Sequence, residues 1–283
     1  MGTSGDAGFT SLRMERSSEG RADGVAELVL RGPGKGNALG PDFWREMPQA
    51  LASLDADPAV RCVLLRGEGA HFTYGLDLLG MMEELGPLLS GENQAAERTR
   101  LLELIGRMQQ STEGLSRMKK PVIAVVHGWC IGGGMDLIAA CDFRICSKDA
   151  RFSLREVKVA ITADLGALQR LPRIIGEGAT RELAYTGGDF DAARALQMGL
   201  VNSVHESPEA LLAHARETAR TIASNPPLVV QGIKQVLEYG ADKSVQDGLR
   251  YVAVWNAAFL QSHDLAEAFA AFAERRPGNF QGK

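Results

Sequence analysis

The sequence predicts an α/β core followed by a C-terminal third that is all helix. Three observations carry this prediction. Pro121–His127 (PVIAVVH) is a continuous, β-branched run of the kind buried on both faces of a parallel sheet. Glu97–Met118 spaces Leu101, Leu104, Ile105, Met108, Leu115 and Met118 three or four residues apart in its apolar clusters, with charges between, as an amphipathic helix does. Beyond about residue 177 the strand signals almost vanish while helical spacing continues.

In chain order, residues 1–9 read as a flexible, glycine-containing leader. Val25–Arg31 alternates as a strand, with Glu27 interrupting its apolar run, and breaks at Gly32, Pro33 and Gly34. Val60–Arg66 is a second strand, ended by Gly67 and Gly69. After PVIAVVH comes the glycine-rich segment GWCIGGGMD, residues 128–136, and then a helical pattern over Leu137–Cys141. Phe143–Cys146 is a further short strand, and Asp142 and Arg144 beside it suggest a structural ion pair. Helices are expected over Leu165–Leu171, Thr180–Tyr185, Asp191–Met198, Pro208–Ala223, Leu228–Tyr239, Val245–Leu260 and His263–Arg275. Asn225, Pro226 and Pro227 separate two of them. The layout is therefore a leader (1–9), an α/β core (10–205) and a helical C-terminal region (206–283) suited to oligomerisation.

Composition narrows the function classes. A formal net charge of −4 without any Lys/Arg block gives no footprint for nucleic acid. The four cysteines, Cys62, Cys130, Cys141 and Cys146, show neither C-x-x-C nor a paired spacing with histidine, and read as reduced, small core residues. The five histidines lack metal spacing, and His127, ending a buried strand, reads as a satisfied core residue. No G-x-S-x-G elbow is present. No stretch approaches a membrane span, no apolar signal region stands near the start, and Gln281-Gly282-Lys283 is not a peroxisomal address. The expectation is a soluble, cytoplasmic protein.

Glycine is enriched, at 32 of 283 residues or about 11%, against ~7% in ordinary proteins. The densest cluster is Gly132–Gly134, at a strand–turn–helix junction. Such a junction exposes backbone N–H groups where the helix dipole favours negative charge. No Gly-Lys-Ser/Thr follows, and G-x-G-x-x-G does not occur, so phosphate-loop and dinucleotide readings fail. Two uses stay open: a tight packing turn or an oxyanion hole. A second segment, HFTYGLDL (residues 71–78), also follows a strand, and Gly75 there allows the Leu76 amide to point outward. Two such donors from separate turns suit a developing enolate oxygen, each contributing about 3 kcal/mol when preorganised.

Three acids lie near these turns: Asp136 at the helix start, Glu156 twenty residues on, and Asp164 eight further. Asp164 has small or apolar neighbours on both sides, so desolvation would raise its pKa and suit it to proton transfer. Each acid also has an ordinary structural use. Asp136 could complement the helix dipole, Glu156 could pair with Arg155 or Lys158, and Asp164 could cap the helix that follows. Met81, Met82 and the apolar positions of Leu78–Leu89 suit either a greasy pocket or core packing.

Taken together, these motifs resemble the crotonase (enoyl-CoA hydratase/isomerase) superfamily from about Leu12 to Lys283. The matching pieces are GKGNAL (34–39), FTYGLDL (72–78), PVIAVVHG (121–128), GGGMDL (132–137), ACDFR (140–144), QRLPRIIG (169–176), MGLVNSV (198–204) and the ending around Ala268 to Pro277. The resemblance implies a crotonase-like spiral of ββα units with a helical C-terminal trimerisation region, assembled as trimers or as hexamers that are dimers of trimers. It implies an acyl-CoA substrate, with no cofactor, metal, nucleic acid or membrane partner. Leu76 and Gly133 take the family's oxyanion-hole positions. CoA contacts fall around Lys35, Asn37, Ala38, Phe72, Tyr74, Gly75 and Gly132.

Within the family, hydratases carry two glutamates where Asp136 and Glu156 stand, and Pro-Gly where Ala163 and Asp164 stand. The trio Asp136, Glu156 and Asp164 looks instead like the Δ3,5-Δ2,4-dienoyl-CoA isomerase pattern of fatty acid β-oxidation. By that resemblance Asp164 removes the α-proton, Glu156 reprotonates the distal carbon, and Asp136 orients or tunes Glu156. The alternatives are a 2-enoyl-CoA hydratase and, from another class, a catalytically silent CoA- or RNA-binding homologue, which the negative charge and intact acids disfavour. Tyr74 and Trp129 are bulkier than the family's usual choices and bear on pocket shape.

Overall fold

The computed structural model describes residues 8–16, 23–89 and 95–283. Its central layer is a six-stranded sheet of β1 (Leu12–Arg16), β2 (Val25–Leu30), β3 (Cys62–Gly67), β4 (Val122–Val126), β6 (Phe143–Ser147) and β9 (Ser203–His205), in that spatial order. Only the β1–β2 pair is antiparallel. A second, three-stranded sheet holds β5 (Trp129–Ile131), β7 (Arg151–Ser153) and β8 (Asp189–Asp191). The helices of the core are α1 (Pro41–Ala56), α2 (Met82–Leu89), α3 (Ala95–Arg117), α4 (Gly133–Ala140), α5 (Ala167–Ile175), α6 (Glu177–Thr186) and α7 (Ala192–Gln197). Then follow α8 (Pro208–Ala223), α9 (Pro227–Gly240), α10 (Val245–Phe259) and α11 (His263–Glu274). Two strands followed by a helix recur as β1–β2–α1, β4–β5–α4 and β6–β7–α5, the expected ββα theme.

Side chains alternate across a strand, so a sheet covered on both faces must be apolar at every position. Val63, Leu65, Val122, Ala124 and Val126 face one core with α1, α3 and α4. Their neighbours Cys62, Leu64, Ile123, Val125 and Ile145 face the other, against Leu211, Ala215, Ala219 and Ala223 of α8. That four-residue spacing is one helix face, and its alanines let α8 approach the sheet closely. Each fully buried Val, Leu or Ile contributes about 1.5–3 kcal/mol. Glu27 points to the α8 face, where Arg66 and Arg216 each donate to it at 2.6 Å. Burial acts to raise its pKa, yet those two guanidinium groups hold it below the ordinary carboxylate value.

Several expectations are corrected here. Asp142 and Arg144 do not pair with each other. Asp142 accepts from the buried Lys234 ammonium of α9 at 2.8 Å, and Arg144 donates to the carbonyls of Ile138, Cys141 and Leu200. Asp164 does not cap the next helix, because Gly166 is the N-cap of α5 and no side chain of that residue serves it. Met81 is core, whereas Leu78, Leu79, Met82 and Leu89 are exposed. The four cysteines are buried free thiols, and burial pushes those of Cys62, Cys141 and Cys146 up to about 12. Residues 1–7 of the expected leader lie outside the described residues.

Beyond α8 the chain leaves the sheet. Lys234 moors α9 by donating to Leu115 O, Lys120 O and Asp142 Oδ2. Apolar side chains nonetheless stand exposed along this region, among them Val229, Leu237, Leu249, Val254, Phe269 and Phe272. No helix among the described residues is long and apolar enough to cross a membrane.

Candidate active site

Three short segments, each singled out in the sequence, lie side by side. The 72–77 segment bonds to β5 on one edge: Thr73 N–H donates to Trp129 O at 2.9 Å, and Ile131 N–H to Thr73 O at 3.0 Å. On its other edge Tyr74 N–H donates to Gly36 O, Leu39 N–H to Gly75 O, and Asp77 N–H to Leu39 O. The last two bonds fix the orientation of Leu76. Its flanking carbonyl and amide face Leu39, so by strand geometry its own N–H points the opposite way.

Gly133 opens α4, where the first amides have no intrahelical partner. The two turns abut directly. A Cβ added to Gly75 would lie 3.3 Å from Gly133 N and 2.6 Å from Ile131 O, and Gly75 has φ +81. Only glycine allows both that dihedral and that approach. Gly134 is equally close to Thr73, whose methyl would be 2.5 Å from an added Cβ. The glycine cluster thus serves close packing of the two turns.

The side chains around the first segment are mostly spent on holding it. Asn37, at φ 47, donates to Glu68 O and His71 O at 2.8 Å each. Phe72 is fully buried in the core. Tyr74 is half exposed, packs closely against Gly36 and sets its ring 4.9 Å from that of His71. Ala38 is partly buried, and of Lys35 only the backbone is described. These residues therefore offer main-chain groups and one aromatic face.

Asp136 is buried to 1% exposure, and its Oδ1 accepts the Ala167 N–H at 2.6 Å. It thereby caps α5 from α4, the structural use that the sequence left open for Asp164. Burial, followed by the charge of Glu156, pushes its carboxyl up to about 8. Glu156 starts a 3-10 turn over Glu156–Val159. It pairs with neither neighbour, and Arg155 bonds Asp189 instead. Its Oε2 is buried with no hydrogen-bond partner, and its Oε1 lies 3.4 Å from where a Cβ on Gly132 would stand. Burial raises its pKa, and the charge of Asp164 adds to that. Asp164 is raised by burial as well. The charge of Asp164 acts on both other acids and that of Glu156 on Asp136, and Glu156 lies beside the glycine turn.

Glu156 lines a cavity of about 440 Å³ with Leu154, Val157, Ile161, Ala163 and Leu168. Asp164 lines another, of about 850 Å³, together with Gln109, Glu113 and Arg170. The sequence reading missed the α3 side chains that touch this loop. Gln109 donates to Asp164 O and Thr112 to Leu165 O, both at 2.7 Å. Their signal was a polar stripe on an otherwise apolar-patterned helix. His127 Nε2 meets Gly69 O at 2.9 Å, in keeping with a satisfied core histidine.

Backbone-turn amides near three acids whose pKa values are raised make an arrangement able to polarise a carbonyl and move protons beside it. The chain belongs to the enoyl-CoA hydratase/isomerase family, whose sequence profile matches residues 20–283. It is 44% identical to the mitochondrial Delta(3,5)-Delta(2,4)-dienoyl-CoA isomerase of Dictyostelium discoideum, over 96% of this chain and 92% of that one. It is 43% identical to the peroxisomal isomerase of the same name from Arabidopsis thaliana, over 90% and 92%. The crystal structure of enoyl-CoA hydratase from Bacillus anthracis superimposes with a TM-score of 0.85 at 29% identity, covering 97% of this chain and all of that one. The expectation of a cytoplasmic protein is overturned by these relatives, which are named for mitochondria and peroxisomes.

Proposed function

We propose that the protein converts a 3,5-dienoyl-CoA into the 2,4-dienoyl-CoA. The thioester oxygen accepts hydrogen bonds from the Leu76 and Gly133 amides. Asp164, as carboxylate, removes one proton from C2, and the electron pair spreads as a dienolate from the thioester oxygen to C6. Glu156, as the neutral acid, returns one proton to C6. One proton leaves and one arrives, so the balance closes without an electron acceptor or added water. Burial and the charge of Asp164 favour the neutral form of Glu156, while Asp136 holds the start of α5.

The observation that carries this reading is the third acid. Hydration of a 2-enoyl-CoA needs two carboxyl groups to position water, whereas moving a proton from C2 to C6 needs acids spread along the acyl chain. Asp164 is electrostatically coupled to both Glu156 and Asp136. Glu156 Oε2, buried and unpartnered, suits a group whose partner is the substrate. The backbone around Lys35, Asn37 and Ala38, with Phe72, Tyr74, Gly75 and Gly132, would receive the CoA moiety. The exposed apolar faces of α9–α11 would be covered in a trimer, or in a hexamer of two trimers.

The test is direct. Purified protein given a 3,5-dienoyl-CoA should generate the ultraviolet absorbance of the conjugated 2,4-diene, and Asp164→Asn should cut this to a small residual rate. Robust hydration of a 2-enoyl-CoA that is indifferent to Asp164→Asn, without diene formation, would overturn the isomerase reading. Binding of CoA esters with no turnover of either substrate would instead favour the silent homologue.

A further inference from the structure

Asp164 sits in an irregular stretch, residues 161–166, with neither helix nor strand to hold it. A carboxylate that must meet one C–H bond cannot tolerate such freedom, since a displacement of about 1 Å can lower a rate about 100-fold. The stretch is nevertheless gripped at successive residues. Gln109 Nε2 donates to Asp164 O at 2.7 Å. Thr112 Oγ1, almost fully buried, donates to Leu165 O at 2.7 Å. Two residues on, Ala167 N–H is held by Asp136 at 2.6 Å. Glu113, next to Thr112, accepts from Arg170 at 2.7 Å, and the Arg170 guanidinium lies over Gly166. Gln109, Thr112, Glu113 and Ser116 fall on one face of α3, at helical spacing.

We infer that Gln109 and Thr112 are positioning residues for the isomerisation: this face of α3 is a clamp that aims the Asp164 carboxylate through its own and the next carbonyl. The inference rests on the reading of Asp164 as the base. It is not a demand of folding alone. Leu104, Met108 and Leu115 already seat α3 in the core, and Gln109 is only half buried.

The experiment uses near-isosteric variants that delete each donor, Gln109→Met and Thr112→Val, with Thr112→Ser as the conservative control. Diene formation from a 3,5-dienoyl-CoA gives kcat and KM. Each deletion is expected to lower kcat about tenfold with KM within about twofold, and Thr112→Ser to restore most of it. The signature beyond stability is non-additivity. In an Asp164→Asn background neither deletion should lower the residual rate further, because the aimed group is gone. Folded Gln109→Met and Thr112→Val proteins with unchanged kcat, while Asp164→Asn falls to its residual rate, overturn the clamp and leave the isomerase reading standing. Deletions that add fully to Asp164→Asn also overturn it. Absence of diene formation by the unaltered protein overturns both.

Discussion

Asp136 Oδ1 accepts the Ala167 N–H at 2.6 Å, so an acid in the first turn of α4 closes the first turn of α5. The pair joins two elements 31 residues apart and puts the start of α5 and the loop of Asp164 under the control of one carboxyl group. Asp136→Ala removes the acceptor and leaves that buried amide unpaired. The expected loss is about 1–3 kcal/mol of stability, read by urea unfolding. Asp136→Asn keeps the acceptor oxygen and is expected to unfold at or above the wild-type midpoint.

The same carboxyl predicts a pH dependence. Its folded pKa stands at about 8 against an ordinary 3.8, so the folded state binds a proton that the unfolded chain releases. Its contribution to stability is fully present below pH 3.8 and is lost as the pH rises through 8. Wild-type stability at fixed temperature should therefore fall between those limits, and Asp136→Asn should flatten the slope. Identical slopes in the two proteins would show that Asp136 is ionised like an ordinary carboxylate.

Gly75→Ala tests the meeting of the two turns. Its φ of +81 and the Ile131 carbonyl 2.6 Å from the added methyl force the 74–76 backbone to shift. The expected result is a folded protein with kcat lowered about 100- to 1000-fold, the loss typical of one misplaced oxyanion donor. Steady-state turnover alongside near-ultraviolet dichroism separates the two effects.

Lys234 predicts how the C-terminal helices stay attached. Its ammonium reaches Leu115 O, Lys120 O and Asp142 Oδ2 from α9, in a buried setting. Lys234→Met leaves Asp142 without its cation, and the expected loss is about 3–5 kcal/mol. Hydrogen exchange should show the earliest opening in α9. Equal protection in the variant and the parent would contradict this mooring.

Phe272, at 85% exposed, and Leu249, at 63%, test the proposal that the chain forms a trimer or hexamer through α10 and α11. Leu249→Glu with Phe272→Asp should reduce the sedimentation coefficient to that of a single chain. An unchanged coefficient would place the subunit contacts elsewhere.

Much of the site was legible because its chemistry is concentrated in short runs. PVIAVVH reads as a doubly buried strand, and the neighbouring glycines mark where the backbone comes close to something. The relations between segments were not legible. The 41–56 helix carries Pro48 inside its pattern, and β5, β7, β8 and β9 are three residues each, too short for a period to register. Asp142 and Arg144 sit two apart and invite pairing, but the partner of Asp142 comes from Lys234, 92 residues later. Asp164 precedes a helix and offers a cap as its structural alternative, yet Gly166 takes that position and Asp136 supplies the oxygen. Local sequence announces which groups are unusual. Their partners are set by packing.

The three segments 36–39, 72–77 and 129–133 lie together through main-chain hydrogen bonds. A donor that belongs to the main chain has no side chain to delete, so an alanine scan across Leu76 would pass over it unnoticed. The informative replacement there is an amide-to-ester exchange, which removes one N–H and leaves every side chain in place. By the same logic the Leu76 side chain, partly buried against the core, can change without deleting the donor, since the amide beneath it is inherited from the backbone path.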